Sequence, residues 1–392
     1  MKRYLLILSF ICLPIVFSRA ASSENKFSAS EPQTVLSNER LKETNIGGID
    51  ASLYALNDKG QWKWFCTSRW KFIYSMGTRD NPFDNVVLNS GLIEGLPDPY
   101  SDTKLGFSSD HLWGNISWIA NVYGNPENGH ILSFVHVEYA PKTRSGVYFR
   151  LGLAISKDGG KSFKWCGFII EPELSYETWS NHWYPDKLFA KFIYPNTGLA
   201  NYVVKDGYFY LYYADTRDKL DALINGTAVA RARVADVLAA AENLQSSPWK
   251  KYFNGDWNES GVGGRFTPLN IAPMGFMHGD AAYNSYLDKY VLVTRKYLYA
   301  DGNGKVFGSD WIHAKTGAIL ISFSKDGIRW SEWRIVHEDD HPHDYPSIIS
   351  MGEDNEVIGK SFWVYYKYFY DSVLPDIAWR KHRWDRVLVT ME

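Results

Sequence analysis

The feature that most constrains the fold of this chain is a hairpin pattern that occurs five times. Each copy has a polar cluster, a short apolar strand, a turn and an aromatic strand. The copies are residues 50–68, 115–139, 196–216, 278–297 and 344–369. Their turns carry residues that favour hairpins, such as Asn57 to Gly60 and Lys205 to Gly207. Because a regular repeat decides the architecture of a chain, the pattern predicts a ring of five similar units.

The spacing of the hairpins indicates what each unit contains. Successive hairpins start 65 to 82 residues apart, and candidate third strands follow three of them at 148–156, 227–233 and 318–324. This predicts an all-β fold, a five-bladed β-propeller over residues 45–392. A β-sandwich with a second domain is the alternative. One short inserted helix is expected at 234–244, which is rich in Ala, Leu and Glu and is followed by Pro248.

The N-terminal residues have the pattern of an export signal. Lys2 and Arg3 precede an apolar stretch at 4–17, and Ser18 to Ala20 supplies small residues for cleavage. We predict a signal peptide at 1–20 with cleavage near Ala20, a secreted or periplasmic protein, and an irregular lead at 21–44. No later segment is long and apolar enough to predict a membrane span.

The composition of the chain limits the kinds of partner that it is expected to bind. The chain has 42 Lys and Arg against 44 Asp and Glu, a net charge of −2, so it offers little attraction to a phosphate backbone, and we expect no nucleic acid partner. Aromatic residues make up 16% of the chain and indicate a sugar-binding surface, although they also fill sheet cores.

Cys66 and Cys166 are expected to be buried thiols, with a disulfide as the alternative. We expect a monomer.

Two turns carry a more specific signature. Residues 156–163 read Ser-Lys-Asp-Gly-Gly-Lys-Ser-Phe, the form of an Asp-box, and residues 324–330 are a shorter version ending in Trp330. In such a turn the aspartate accepts hydrogen bonds from turn amides, glycine takes a positive φ, and the aromatic packs beneath the blade. Asp158 and Asp326 are therefore expected to be structural.

The hairpins and the shorter turn resemble the five-bladed propeller glycoside hydrolases of the family 43 type, and the longer turn resembles the Asp-boxes of sialidases. The sequence is also similar to secreted propeller proteins encoded near polysaccharide-degrading enzymes. The resemblance implies a glycoside hydrolase in which Asp50, at the first inner strand, is the catalytic base. This chain departs from the family at the auxiliary aspartate and acid glutamate positions, where it has Asn115 and Asn196. Glu138 and Asp280 are the leading candidates for the acid.

The funnel of a propeller is lined where inner strands begin and second strands end. Residues at those positions include carboxylates, imidazoles and guanidinium groups, which a purely structural rim does not need. The predicted substrate-binding residues are Arg69, His111, Asn115, Asn196, Asp215, Arg217, His278, Arg295, His343 and Asp344, with Trp179 as a residue that stacks on a sugar ring.

Several alternatives stay open. Asp50 could cap a turn, Glu138 could form a structural ion pair, and the rim histidines could be structural. The arginines could clamp a uronic or sialic acid. The chain could also be a carbohydrate-binding propeller without activity, or a polysaccharide lyase in which His or Tyr removes the proton. No cofactor is expected, except that a calcium ion in the funnel is possible.

Overall fold

A computed structural model describes residues 25–44, 46, 49–58, 60–68, 71–88, 93–96, 113–140, 148–175, 196–216, 225–271, 278–298, 316–353, 356–370 and 381–392. These residues form an all-β, five-bladed propeller with two short helices. The predicted fold class is confirmed. The proposed signal peptide lies outside the described residues and stays a prediction.

The first four blades follow one another along the chain, each with an antiparallel sheet that runs from the axis outward. Blade 1 contains β3 (Tyr54–Asp58), β4 (Gln61–Ser68), β5 (Lys71–Gly77) and β6 (Asn85–Leu88). Blade 2 contains β7 (Trp113–Gly124), β8 (Ile131–Ala140), β9 (Tyr148–Ser156) and β10 (Lys164–Ile170). Blade 3 contains β11 (Asn196–Lys205), β12 (Tyr208–Thr216), β13 (Asn225–Arg233), β14 (Lys250–Phe253) and β15 (Asp256–Ser260). Blade 4 contains β16 (Gly279–Asn284), β17 (Lys289–Leu298), β18 (Thr316–Ser324) and β19 (Arg334–Asp339).

Blade 5 is built from both ends of the chain. Its C-terminal strands are β20 (His343–Ser350), β22 (Ser361–Phe369) and β23 (His382–Met391), and β23 pairs with β1 (Phe27–Ala29) and β2 (Gln33–Leu36). The short β21 (Val357–Ile358) pairs with β16 of blade 4.

The prediction of an irregular lead at 21–44 is therefore wrong for residues 27–36, which complete a sheet. The lead also contains α1 (Asn38–Glu43), capped by the Ser37 side chain. The sequence does not indicate these strands because they are short: three or four residues show almost no alternation of apolar and polar side chains.

The other sequence predictions about elements hold. All five hairpins form, and the three predicted third strands are β9, β13 and β18. The predicted helix is α2 (Val234–Glu242), which buries Val237 and Ala241. Cys66 and Cys166 are free and buried. Among the described residues, neither helix has the length and apolar character needed to cross a bilayer.

Aromatic side chains fill much of the space between blades. Trp64 of blade 1 is fully buried, and its ring centroid lies 5.5 Å from that of Tyr365 in blade 5. Trp384 lies in the same cluster, so this contact joins the first and last blades. A large share of the aromatic content is thus core packing, which is one of the two interpretations that the composition left open.

The two predicted aspartate turns have the expected hydrogen bonds. Asp158 Oδ1 accepts hydrogen bonds from the amides of Lys161 and Ser162 at 3.0 and 2.9 Å, and Gly159 has φ +79°. Asp326 accepts from the amides of Ile328 and Arg329 at 2.9 and 2.8 Å. Both carboxylates hold together an outer turn of a blade, as a structural role requires.

We predict that Asp158→Ala lowers the free energy of unfolding by about 1 to 2 kcal/mol, because the turn amides lose their acceptor. Urea denaturation followed by tryptophan fluorescence measures the change. The control is Glu127→Ala, an exposed position in the β7–β8 turn, which should change stability by less than about 0.5 kcal/mol. Equal stability of the two variants would show that the turn does not depend on Asp158.

Candidate functional site

A small cavity lies on the propeller axis, where the inner strands begin. Its lining includes Asp50, Trp118, His136, His278 and Tyr345, which come from four of the five blades. Its volume is about 10 Å³, close to that of one water molecule. We call it the funnel cavity. The cavity thus brings together polar side chains from several blades.

Asp50 is bound to a residue from the far end of the chain. Tyr345 donates its phenolic hydrogen to Asp50 Oδ1 at 2.7 Å, across 295 positions of sequence. Tyr345 has φ +50°, an unusual conformation for an aromatic residue. Burial and the negative charges of Asp50 and Asp344 raise the pKa of Tyr345 well above its ordinary value, so Tyr345 is a neutral donor.

A second group forms around Asp344. Its Oδ1 lies 2.8 Å from His278 Nδ1 and 2.6 Å from Arg295 Nε, and it accepts the Tyr345 amide hydrogen at 2.8 Å. The His278 ring stacks on that of Tyr345 at 4.6 Å. Burial lowers the pKa of His278, and the Arg295 charge lowers it further, against the opposing effect of Asp344. The cavity therefore contains a neutral imidazole held in a fixed orientation.

A third group comes from β8. Residues two apart in a strand share a face, so His136 and Glu138 both face the funnel. His136 Nε2 lies 3.0 Å from Glu138 Oε1, and the Leu199 amide donates to His136 Nδ1 at 3.4 Å. A neutral imidazole protonated on Nε2 satisfies both bonds. Gly198 lets the chain approach closely, since a Cβ there would lie 2.5 Å from His136 Cε1.

Glu138 is in an environment unlike that of Asp50. Burial raises the pKa of Glu138, the hydrogen bond from His136 opposes that rise, and the negative charge of Asp50 adds to it. Its side chain is still 27% exposed, so solvent reaches it. Glu138 is therefore shifted towards its protonated form, and the charge of Asp50 contributes to that shift.

Asp280 lies in a different place from the one expected. It is 6% exposed and lines a second cavity of about 30 Å³, deeper on the axis, with Tyr54, Asn121 and Tyr202. Its carboxylate accepts hydrogen bonds from the amides of Ala281 and Ile348, both at 2.9 Å, and from Asn121 Nδ2 at 3.3 Å. Burial raises its pKa to about 7 against these three bonds. We assign Asp280 a structural role in place of the predicted acid role.

Two other predicted rim residues have partners within the blades. Asp215 is 1% exposed and forms a buried ion pair with Lys251 at 3.2 Å, so it does not face a ligand. His343 is fully buried beside Asp339 and is not among the residues that line either cavity. The sequence predicts that Asp215 and His343 contact the substrate. In the structure each of them instead lies against another residue of the blades.

The remaining predictions cannot be located. Arg69, His111, Arg217 and Trp179 lie outside the described residues. Asn115 and Asn196 lie in β7 and β11, but their side chains are outside the described part of the structure. Of the predicted set, the structure brings together Asp50, Glu138, His278, Arg295 and Asp344.

The strand-end and strand-start positions in the sequence also place His136 and Tyr345 at the funnel, and Trp118 is among the aromatic residues that the sequence offers for stacking on a sugar; all three line the cavity with Asp50. The signal for His136 was its position two residues before Glu138, and that for Tyr345 was its place at the start of the fifth inner strand. The possible calcium ion in the funnel stays a prediction. Within the described residues, one cluster has metal-binding character, and it lies elsewhere, at His337, Asp339 and His343.

Comparison with known proteins gives only distant likenesses. No family model matches the chain, and no curated protein matches it. The catalytic domain of the GH62 alpha-L-arabinofuranosidase of Coprinopsis cinerea is 10% identical, with TM-score 0.47, and covers 93% of this chain and 97% of its own. Zg3597, a family 117 glycoside hydrolase of Zobellia galactanivorans, is 10% identical, with TM-score 0.49, covering 93% and 90%. The alpha-L-arabinanase of Cellvibrio cellulosa is 9% identical, with TM-score 0.46, covering 86% and 91%. Likenesses this distant carry no conclusion about activity.

We predict that Asp280→Asn flattens the dependence of stability on pH between about 4 and 7. The folded state keeps a proton on Asp280 up to pH of about 7, while an unfolded aspartate releases it near 3.9, so this group's stabilisation is lost as pH rises through that window. Urea unfolding at several pH values measures the slope, which one proton changes by up to about 1.4 kcal/mol per pH unit. The exposed Asp256→Asn is the control. An identical slope in Asp280→Asn and the unmodified protein would contradict the assignment.

Proposed function

We propose that this chain is a glycoside hydrolase that acts on oligosaccharides or polysaccharides at the mouth of the funnel cavity. The observation that carries the proposal is the pair Asp50 and Glu138, two carboxylates that act on each other electrostatically in unlike surroundings. Glycoside hydrolysis needs one carboxylic acid to protonate the leaving oxygen and one carboxylate as base or nucleophile.

Asp50 takes the role of base or nucleophile. It lies at the start of the first blade and lines the funnel cavity, and its Oδ1 is fixed by the hydroxyl of Tyr345 at 2.7 Å. The backbone around it is also fixed, because the Asp50 amide donates to the Thr67 carbonyl at 2.9 Å. A carboxylate held in one orientation loses little entropy when it attacks or when it deprotonates a water.

Glu138 takes the role of acid. Its raised pKa keeps a proton available nearer to neutral pH than an ordinary glutamate does. His136 occupies Oε1 as a donor, and this assigns the proton of the acid to Oε2. Burial is the main cause of the raised pKa of Glu138, and the smaller contribution of Asp50 disappears when the negative charge on Asp50 is consumed during the reaction, which suits a group that has just lost its proton.

The size of the cavity limits where the sugar can bind. A space of about 10 Å³ holds one water and excludes a sugar ring. The reacting bond therefore lies above Asp50 and Glu138, with Trp118 and His278 in the cavity wall beneath it. Arg295 is bound to Asp344, so it positions the neighbouring histidine and is a poor candidate for clamping a uronate. This favours hydrolysis over the lyase alternative.

A screen of polysaccharides and aryl glycosides tests the proposal through its products. A hydrolase gives new reducing ends without unsaturation, a lyase gives ultraviolet-absorbing unsaturated ends, and a binding propeller gives neither. Unsaturated products, or sugar binding without cleavage on every substrate, would contradict the proposal.

On a substrate found by that screen, we predict that Asp50→Asn lowers kcat by several orders of magnitude, since an amide cannot act as base or nucleophile. Glu138→Gln should give a similar loss on natural glycosides and a smaller loss on substrates whose leaving group needs no proton. Glu127→Gln, at an exposed turn of blade 2, is the matched control and should keep full activity. Full activity of Asp50→Asn would remove Asp50 from the mechanism.

We also predict that His136→Phe moves the alkaline limb of the kcat/KM profile to higher pH. His136 lowers the pKa of Glu138, so removing the imidazole lets Glu138 stay protonated at higher pH. His136→Gln, which can still donate to Glu138, should shift the limb less. A shift to lower pH, or none at all, would show that Glu138 is not the acid.

A further inference from the structure

A cluster of possible metal ligands lies at the junction of blades 4 and 5, outside the funnel cavity. His337 and Asp339 are two residues apart in β19, the outer strand of blade 4, so their side chains share a face. His343 is the first residue of β20, the inner strand of blade 5. Only residues 340–342 connect the two strands. The cluster therefore joins two blades.

The distances within this cluster suit a single small ion. His337 Nε2 lies 3.2 Å from Asp339 Oδ2, and His343 Nε2 lies 3.2 Å from Asp339 Oδ1. The candidate ligand atoms of the three residues all lie within 4.8 Å of one another. Zinc bonds of about 2.0 to 2.2 Å in a tetrahedron place neighbouring ligand atoms roughly 3.3 to 3.5 Å apart. Small side-chain rotations would complete that geometry.

The burial of His343 is a second, independent observation. Its side chain is fully buried, yet neither ring nitrogen makes a well-formed hydrogen bond within the described residues. The close approach to Asp339 has the distance of an ion pair without the direction of a hydrogen bond. A buried polar group without a hydrogen-bond partner destabilises the folded state. The rings of Tyr366 and Tyr368, at 5.0 and 5.6 Å, surround the imidazole, so a bound ion would give His343 the partner it lacks.

We propose that His337, Asp339 and His343 bind a divalent transition metal, with zinc as the best match. Two imidazole nitrogens and one carboxylate oxygen favour zinc and its neighbours over calcium or magnesium, which prefer oxygen ligands. The fourth position is open to water or to His341, whose Nδ1 lies 3.8 Å from Asp339 Oδ1. The site is independent of the proposed glycosidase reaction.

Because of where the cluster lies, a bound metal would also affect the funnel. The residue after His343 is Asp344, which orients His278 and Arg295. An ion bound to β19 and to the first residue of β20 would hold the start of that strand in place. We therefore expect the metal to stabilise the propeller at this junction and to keep Asp344 in position.

The test uses the full mature protein after treatment with a chelator. Calorimetry with zinc alone should give one ion per chain, and zinc should raise the midpoint of thermal unfolding. Cobalt should bind in its place and give the visible absorption of a low-symmetry site. His337→Ala and Asp339→Asn should each weaken zinc binding at least tenfold while the circular dichroism stays that of the folded protein.

The matched control is His130→Ala, which removes a histidine paired with a carboxylate on another part of the surface, Glu242 at 2.6 Å. It should bind zinc as the unmodified protein does. The proposal is overturned if the unmodified protein binds no stoichiometric zinc, or if His337→Ala and Asp339→Asn bind it unchanged. It is also overturned if calcium stabilises the protein as strongly as zinc does through these residues.

Discussion

The structure depends on the closure of the ring, which joins the two ends of the chain. The last strand, β23, pairs with β1 and β2, and the final amide of the chain donates to the Lys26 carbonyl at 2.9 Å. A closed ring of blades leaves only short, protected strand edges. It also brings Asp50, which precedes the first strand of blade 1, against Tyr345 in the last blade. The candidate site therefore exists only when the ring is closed.

Closure also explains the electrostatics of the funnel. Inner strands from different blades converge on the axis, so Asp50, Glu138 and Asp344 are forced into a small space from which water is partly excluded. Each carboxylate then depends on its own partner, namely Tyr345 for Asp50, His136 for Glu138, and Arg295 with His278 for Asp344. The partners differ in charge and in donor type. Burial and the nearby charge of Asp50 shift Glu138 towards its protonated form, against the hydrogen bond from His136.

Much of the fold could be predicted from the sequence, because the hairpins repeat and each turn is marked by Gly, Asn or Asp. The rim could be predicted in outline, since strand starts and strand ends identify it. How deep each rim residue lies, and which way its side chain faces, could not be predicted from the sequence. His278 and Asp280 share a strand face, yet one reaches the funnel cavity and the other the deeper cavity. His343 is buried beside Asp339, whereas the next residue, Asp344, contacts His278 and Arg295, and the strand register shifts just after them. Asp215 faces Lys251, a partner from a strand that no hairpin pattern indicates.

The measurement that tests the central claim most directly is a crystal structure of Glu138→Gln with an oligosaccharide that the unmodified protein cleaves. The account predicts that the sugar lies over the funnel cavity. Its glycosidic oxygen should lie within about 3 Å of the amide at position 138, and its anomeric carbon should face the Asp50 carboxylate. A sugar bound on another face of the propeller, or one that contacts neither residue, would contradict the account.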